Sequence, residues 1–239
     1  MKITQYLADK DPSLVIHEES EFSSDTKGFK AFNDAGLECE TGEFLYGLVR
    51  LLKPKRVLET GTHQGVGASY IAQALKDNGF IDGAESPLMG KLITIEFLRP
   101  HYEATKARIK KLELESYVFQ HLSDVNKFYP PGEGMDTFDM VLLDTEPQTR
   151  FEELANFFHA LRPGGFIFIH DLHRHMHQID NEEHGFAWPY GRIPAEVTKW
   201  VVSGQLRPFH FSTPRGLTGF YKVHPEDHKW GLPIQGEVR

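Results

Sequence analysis

The chain has 239 residues, 40% of them hydrophobic, which suits one α/β domain with a full core or such a domain with an appended segment. Its formal charge is −8 and its lysines and arginines are scattered instead of forming a basic stripe, so the sequence predicts no nucleic-acid partner. The single cysteine, Cys39, excludes an intrachain disulfide and a Cys-rich zinc site, and no run approaches the ~18 apolar residues of a membrane span, so the expectation is a soluble, cytoplasmic protein without membrane contacts.

Residues 1–40 are polar and weakly patterned and read as an N-terminal extension with one or two short helices, ahead of a single domain over 41–239. In GEFLYGLVRLLKP, Phe44, Leu45, Leu48, Leu51 and Leu52 recur at helical spacing, and Pro54 ends the helix. RVLET is a short apolar run of buried-strand type, and ASYIAQALKDNG a helix stopped by Gly79. KLITIEF follows as a second strand, HYEATKARIKKLELE as an amphipathic helix and YVFQHLS as a third strand. FDMVLLDTE holds a fourth strand, RFEELANFFHALRPGG a helix with a Pro-Gly-Gly stop, and FIFIHD a fifth strand. Residues 170–195 form a lid or substrate loop rich in His, Gly and Pro. EVTKWVVSG is a last helix, and RPFHFSTPRGLTGFYKVH a hairpin. Five alternations of strand and helix predict an α/β fold: a Rossmann-like, doubly wound, mostly parallel seven-stranded sheet with an antiparallel C-terminal hairpin strand. Ligands of such sheets bind beyond the carboxyl ends of the strands, where Glu59, Glu96, Ser123, Asp124, Asp144 and Asp171 all fall.

The loop between the first strand and its helix carries Gly61, Gly65 and Gly67. Glycines there let the backbone approach a ligand closely. Their order is G-x-x-x-G-x-G, not the G-x-G-x-x-G of dinucleotide folds, and no Gly-Lys-Ser or Gly-Lys-Thr follows to build a phosphate loop. Glu59 just before the turn would repel a phosphate and attract a cation such as an ammonium or a sulfonium.

VLETGTHQG, LITIEF, FDMVLLD and LRPGGFIFIHD, in that order, resemble the strand-end motifs of the class I S-adenosylmethionine-dependent methyltransferases, over roughly residues 40–173. The resemblance implies a cofactor site in which Glu59 lies near the methionyl ammonium while Gly61, Thr62, His63, Gly65 and Gly67 wrap the methionine and ribose. Glu96 would accept both ribose hydroxyls, Phe97 would flank the adenine, and Ser123 and Asp124 would contact its edge. Gly67 stands where relatives place Ser or Thr for the methionyl carboxylate, which leaves Ser69 or backbone amides for that task. The structural alternatives are ordinary ones: Glu59 and Glu96 as helix caps, Ser123 and Asp124 as turn closers, His63 as a packing residue.

Within that superfamily the pattern is most similar to the metal-assisted small-molecule O-methyltransferases, of the catechol type and of the macrolide or aminocoumarin sugar type. The sugar type has D-x-D where LLDTEPQ supplies Asp144 and Glu146, and two aspartates where IFIHDLH supplies His170 and Asp171. The implied ligands for Mg2+ or Mn2+ are Asp144, His170 and Asp171, with Asp144 also on the cofactor side, Glu146 as leading base and His173 as second. Pro147 and Gln148 stand where the catechol type has its lysine base, and Leu172 where it has asparagine. His173, His175 and His177 would project to one side of an extended segment toward a metal or substrate, or would simply be solvated. Phe186, Trp188 and Tyr190 would stack on a ring-shaped acceptor or anchor their loop.

The expectation is therefore transfer of a methyl group to a hydroxyl of a small molecule, a sugar or phenolic natural product, by an enzyme of a type that is often a homodimer. Two rivals stand beside it: a nicotinamide-dependent oxidoreductase, with the glycine order and the late position of Glu96 against it, and a non-catalytic binding protein that kept the fold.

Overall fold

The computed structural model describes residues 2–17, 29–32, 37–79, 90–128, 137–146, 149–171, 194–211, 213, 215–224 and 226–227. His173, the other histidines of that run, the three aromatics that follow them and nearly all of the expected lid lie outside the described residues. The chain divides into two compact units, Met1–Phe128 and Tyr129–Arg239. The expected seven strands are present, three in the first unit and four in the second.

In the first unit, helix α1 (Ile3–Lys10) and helix α2 (Cys39–Leu52) precede strand β1 (Arg56–Thr60). Helix α2 starts three residues before the expected run and is capped by Lys53, whose left-handed backbone (φ 48°) turns the chain toward Pro54. Helix α3 (Val66–Asn78), strand β2 (Lys91–Glu96), helix α4 (Arg99–Lys111) and strand β3 (Val118–Leu122) complete it. The order is β3-β2-β1, all parallel, with Glu59 opposite Thr94 and Glu96 opposite Leu122. Continuous apolar runs in β1 and β2 mark strands covered on both faces. Leu58, Ile71, Leu75, Leu92 and Ile93 are accordingly buried, each contributing about 1.5–3 kcal/mol.

The second unit runs through strand β4 (Phe138–Leu143), helix α5 (Arg150–Phe158), strand β5 (Leu161–His170), helix α6 (Ala195–Val202) and strands β6 (Leu206–Phe211) and β7 (Leu217–Lys222). Its order is β4-β5-β7-β6, with β4 and β5 parallel and the other pairs antiparallel. The Pro-Gly-Gly read as a helix stop lies inside β5. The pairing with β4 jumps there from Phe138↔Leu161 to Met140↔Phe166, so the irregular residues are absorbed as a bulge. On β7, Gly219 leaves room for a ring: a Cβ there would lie 2.1 Å from Phe209 Cζ.

Candidate functional site

Each unit carries one group of the predicted residues. In the first, the chain leaves β1 through a turn in which Gly61, His63 and Gly65 all have positive φ, at 72°, 49° and 79°. Gly65 is the position with least freedom. It combines left-handed backbone with a space in which a Cβ would stand 2.7 Å from Thr105 Cγ2. Gly67 is a residue of the first turn of α3. Ser69 is fully buried, and its hydroxyl donates to the Gly65 carbonyl at 2.6 Å, so it ties the turn to the helix.

The two predicted acids of this unit are buried. Glu59 is 2% exposed and accepts the Thr94 hydroxyl on Oε2 at 2.9 Å; Thr94 is also hydrogen-bonded to Thr62, so β2 braces the residues on either side of Gly61. Glu96 ends β2, 5% exposed. Its Oε2 accepts the His63 backbone N–H at 2.8 Å, and its Oε1 accepts the Leu98 N–H at 2.8 Å. Leu98 is the N-cap of α4, and no side chain caps that helix, so Glu96 grips the backbone ahead of the helix and the glycine turn together. Each carboxylate oxygen keeps a further acceptor position. Phe97 is 65% exposed beside it, and the His63 ring packs edge-on against His101 with centroids 4.2 Å apart.

Ser123 and Asp124 follow β3. The Ser123 N–H donates to the Glu96 carbonyl at 2.9 Å, and Asp124 accepts the Asn126 N–H at 3.0 Å, capping a single 3₁₀ turn over Val125–Lys127. Both residues do the work of a turn, and Ser123 also fixes the backbone next to Glu96.

In the second unit Asp144, His170 and Asp171 each offer one donor atom, all within 4.8 Å of one another. His170 is fully buried with Nδ1 3.1 Å from Asp144 Oδ1. Asp171 holds a left-handed backbone (φ 63°) immediately after β5, which turns its carboxylate back toward the strand end. Two arginines absent from the expectation complete the group. Arg150, 3% exposed at the start of α5, donates from Nε to the Thr145 carbonyl at 2.7 Å and from Nη1 to the His170 carbonyl. Its Nη2 lies 3.3 Å from Asp144 Oδ1 and 3.7 Å from Asp171 Oδ2. Arg215, in the β6–β7 turn, donates to Asp171 Oδ2. Burial on its own raises the Asp171 carboxyl, but His170, Arg215 and Arg150 outweigh it and hold the group well below the usual carboxylate range. Asp171 Oδ1 is buried without a hydrogen-bond donor.

Glu146 is exposed two residues beyond Asp144, its carbonyl accepting the Thr149 N–H and hydroxyl at 3.0 and 2.8 Å. Arg150 was detectable in principle as the first residue of a helix that starts just past the strand-four acid. Arg215 comes into view only with the hairpin register, in which Leu217 pairs with His170 and Arg215 lies two residues before it.

Residues 58–172 match the family described as "Methyltransferase domain". Among curated proteins, the chain is 27% identical over 140 residues to the catechol O-methyltransferase domain-containing protein 1 of Mus musculus, covering 57% of this chain and 49% of that one. It is 29% identical over 143 residues to the catechol O-methyltransferase of Niastella koreensis, covering 58% and 59%. The chain thus spans about half to three-fifths of the length of these two relatives. Among solved structures, the O-methyltransferase TomG of Streptomyces achromogenes, determined with SAM, matches with a TM-score of 0.59 at 20% identity, covering 92% of this chain and 96% of that one. An O-methyltransferase of Bacillus cereus, determined with SAH, gives 0.58 at 19% identity, covering 92% and 97%. At such identities these likenesses establish the Rossmann-like methyltransferase fold. Among the described residues, no helix is long and apolar enough to cross a membrane.

Proposed function

We propose that this chain, whose residues 58–172 match the family described as "Methyltransferase domain", is a class I S-adenosylmethionine-dependent methyltransferase that transfers a methyl group from S-adenosylmethionine to an oxygen of a small molecule. The observation that carries this reading is Glu96, a buried carboxylate at the end of β2 with each oxygen already oriented by one backbone N–H. A diol is recognised by such a group, because two adjacent acceptor oxygens face two hydroxyl donors. The turn fits the rest of the molecule in kind: a bend without bulky side chains lies beside Glu59, whose charge suits a cationic sulfonium or ammonium.

S-adenosylmethionine supplies the methyl group as an electrophile. What the chain supplies is position. Glu96 orients the ribose, Glu59 and the Gly61–Gly65 turn seat the methionyl end, and Phe97 covers the adenine. Glu146, exposed and past the strand-four acid, takes the proton of the acceptor hydroxyl, with His173 the second choice.

The second unit's donor set fits a divalent cation in two respects: three donor atoms of the preferred types lie together, and Asp171 Oδ1 is a buried acceptor with no donor on it. Asp144, His170 and Asp171 would hold Mg2+ or Mn2+, and when bound such an ion eases loss of a hydroxyl proton as a Lewis acid. For the acceptor, the catechol names of two relatives favour phenolic diols, and the likeness of LLDTEPQ and IFIHDLH to the sugar type favours sugar hydroxyls as the second choice.

The test is transfer of labelled methyl from S-adenosylmethionine to a panel of catechols and sugar glycosides, with and without a chelator. Turnover that falls at least about tenfold on chelation and returns with Mg2+ or Mn2+ supports both parts. Turnover indifferent to chelation removes the metal and leaves the transfer. No transfer to any acceptor, from protein that binds the cofactor, points to the non-catalytic rival.

A further inference from the structure

The N-terminal extension, read from sequence as weakly patterned, reaches the glycine turn through one arginine. Asp11, just past α1, is 1% exposed, and Arg108 on α4 is 9% exposed. Arg108 Nε donates to Asp11 Oδ2 at 3.1 Å, and its Nη1 donates to the carbonyl of Gln64, inside the turn. One residue earlier in the turn, the His63 carbonyl accepts the hydroxyl of the fully buried Thr105 at 2.8 Å. Two successive carbonyls are therefore drawn onto α4. In a trans peptide the N–H points opposite to the C=O, so this pull also sets which way the Gln64 N–H faces and turns the Gly65 N–H inward, where it donates to the Thr62 carbonyl at 2.9 Å. Asp11 is itself fixed, with Oδ1 accepting from Lys111 Nζ at 2.6 Å and from the Ser13 hydroxyl at 2.7 Å.

We propose that Arg108, clamped by Asp11, is a positioning residue for the cofactor turn, so that the N-terminal segment is a working part of the cofactor site. The inference rests on the proposed cofactor role of the Gly61–Gly65 turn. The Arg108 guanidinium is engaged by Asp11 and by the Gln64 carbonyl, so its action on the site runs through the peptide at Gln64. A guanidinium suits the task because its fork can hold a carboxylate with one nitrogen and a carbonyl with another, which the single ammonium of lysine does less well.

The experiment compares Arg108→Lys, Asp11→Asn and Lys111→Met with wild type, by titration calorimetry with S-adenosylhomocysteine, by steady-state kinetics and by thermal unfolding. Lys111→Met is the control, since it removes the other ion pair of Asp11 and leaves the Arg108 contacts in place. Arg108→Lys and Asp11→Asn are expected to raise the Kd for S-adenosylhomocysteine and the KM for S-adenosylmethionine about tenfold, the loss of one charge-assisted hydrogen bond to the turn. Their kcat at saturation should stay within about twofold, and Lys111→Met should leave Kd unchanged even where its Tm falls. Variants that bind as tightly as wild type overturn the tether alone, as does a Lys111→Met that weakens binding as much as Arg108→Lys, because that is general loosening. A wild type that binds no S-adenosylhomocysteine overturns the parent reading and the tether's cofactor role with it.

Discussion

Glu96 and Asp171 are both carboxylates buried at the end of a strand, yet they are held by opposite means. Glu96 is gripped by two backbone N–H groups, and those donors carry no net charge, so its negative charge remains for a ligand. Asp171 is gripped by guanidinium groups from α5 and from the hairpin turn, which neutralise it while fastening distant stretches of chain to the end of β5. A carboxylate held by backbone is available for recognition. One held by arginines is first of all a structural joint, and any cation that binds it does so beside two positive charges.

The largest effect should come from breaking the joint. Arg150→Met strips Asp144 and Asp171 of a buried partner and should cost about 3–5 kcal/mol in chemical denaturation. A loss under about 1 kcal/mol would mean that the second unit does not depend on its ion pairs. On the other side of the comparison, Glu96→Ala should weaken S-adenosylhomocysteine binding about a hundredfold, two charge-assisted hydrogen bonds' worth, with Glu96→Gln falling between. Equal affinity in all three proteins would take the ribose role away from Glu96. Gly65→Ala sharpens the same contrast through backbone alone: left-handed φ and the Thr105 methyl should together cost about 2 kcal/mol of stability, read by denaturant midpoint.

The smallest effect is a pH dependence in the first unit, where Asp11 is held, like Asp171, by cationic side chains. Burial raises the Asp11 carboxyl, but Lys111, Ser13 and Arg108 more than reverse this and place it below the ordinary value. A depressed folded-state pKa gives stability that is fully present above the unfolded value, about 3.9, and is lost as pH falls through the folded value. The gap in Tm between wild type and Asp11→Asn should therefore be constant near neutrality and shrink below about pH 4. A gap that widens with acid would contradict the sign.

These contrasts also explain what could be seen in the sequence. Gly61, Gly65, Glu59 and Glu96 were legible because short-range backbone geometry dictates them: a strand end, a left-handed bend and a helix start within one stretch of chain permit few residue types. Asp144, His170 and Asp171 were legible as strand-end acids and a histidine. Arg150 and Arg215 were not, because a lone arginine at a helix start or in a hairpin turn looks solvated until the register of β5 with β7 is known. Asp11 and Arg108 stand 97 positions apart, and nothing local in either sequence neighbourhood announces the other. The Pro-Gly-Gly of β5 shows the converse: α5 does end ahead of it, at Phe158, but the strand starts earlier than expected, at Leu161, and carries those residues as a bulge between its pairings with β4.

The central claim is that the buried acids and the bare turn at the ends of β1 and β2 grip a sulfonium-bearing nucleoside. Titration calorimetry of the purified chain with S-adenosylmethionine and S-adenosylhomocysteine measures this directly. Saturable heat with one site per chain, weakened in Glu96→Ala, is the predicted result; no heat from either compound with folded wild-type protein would contradict it.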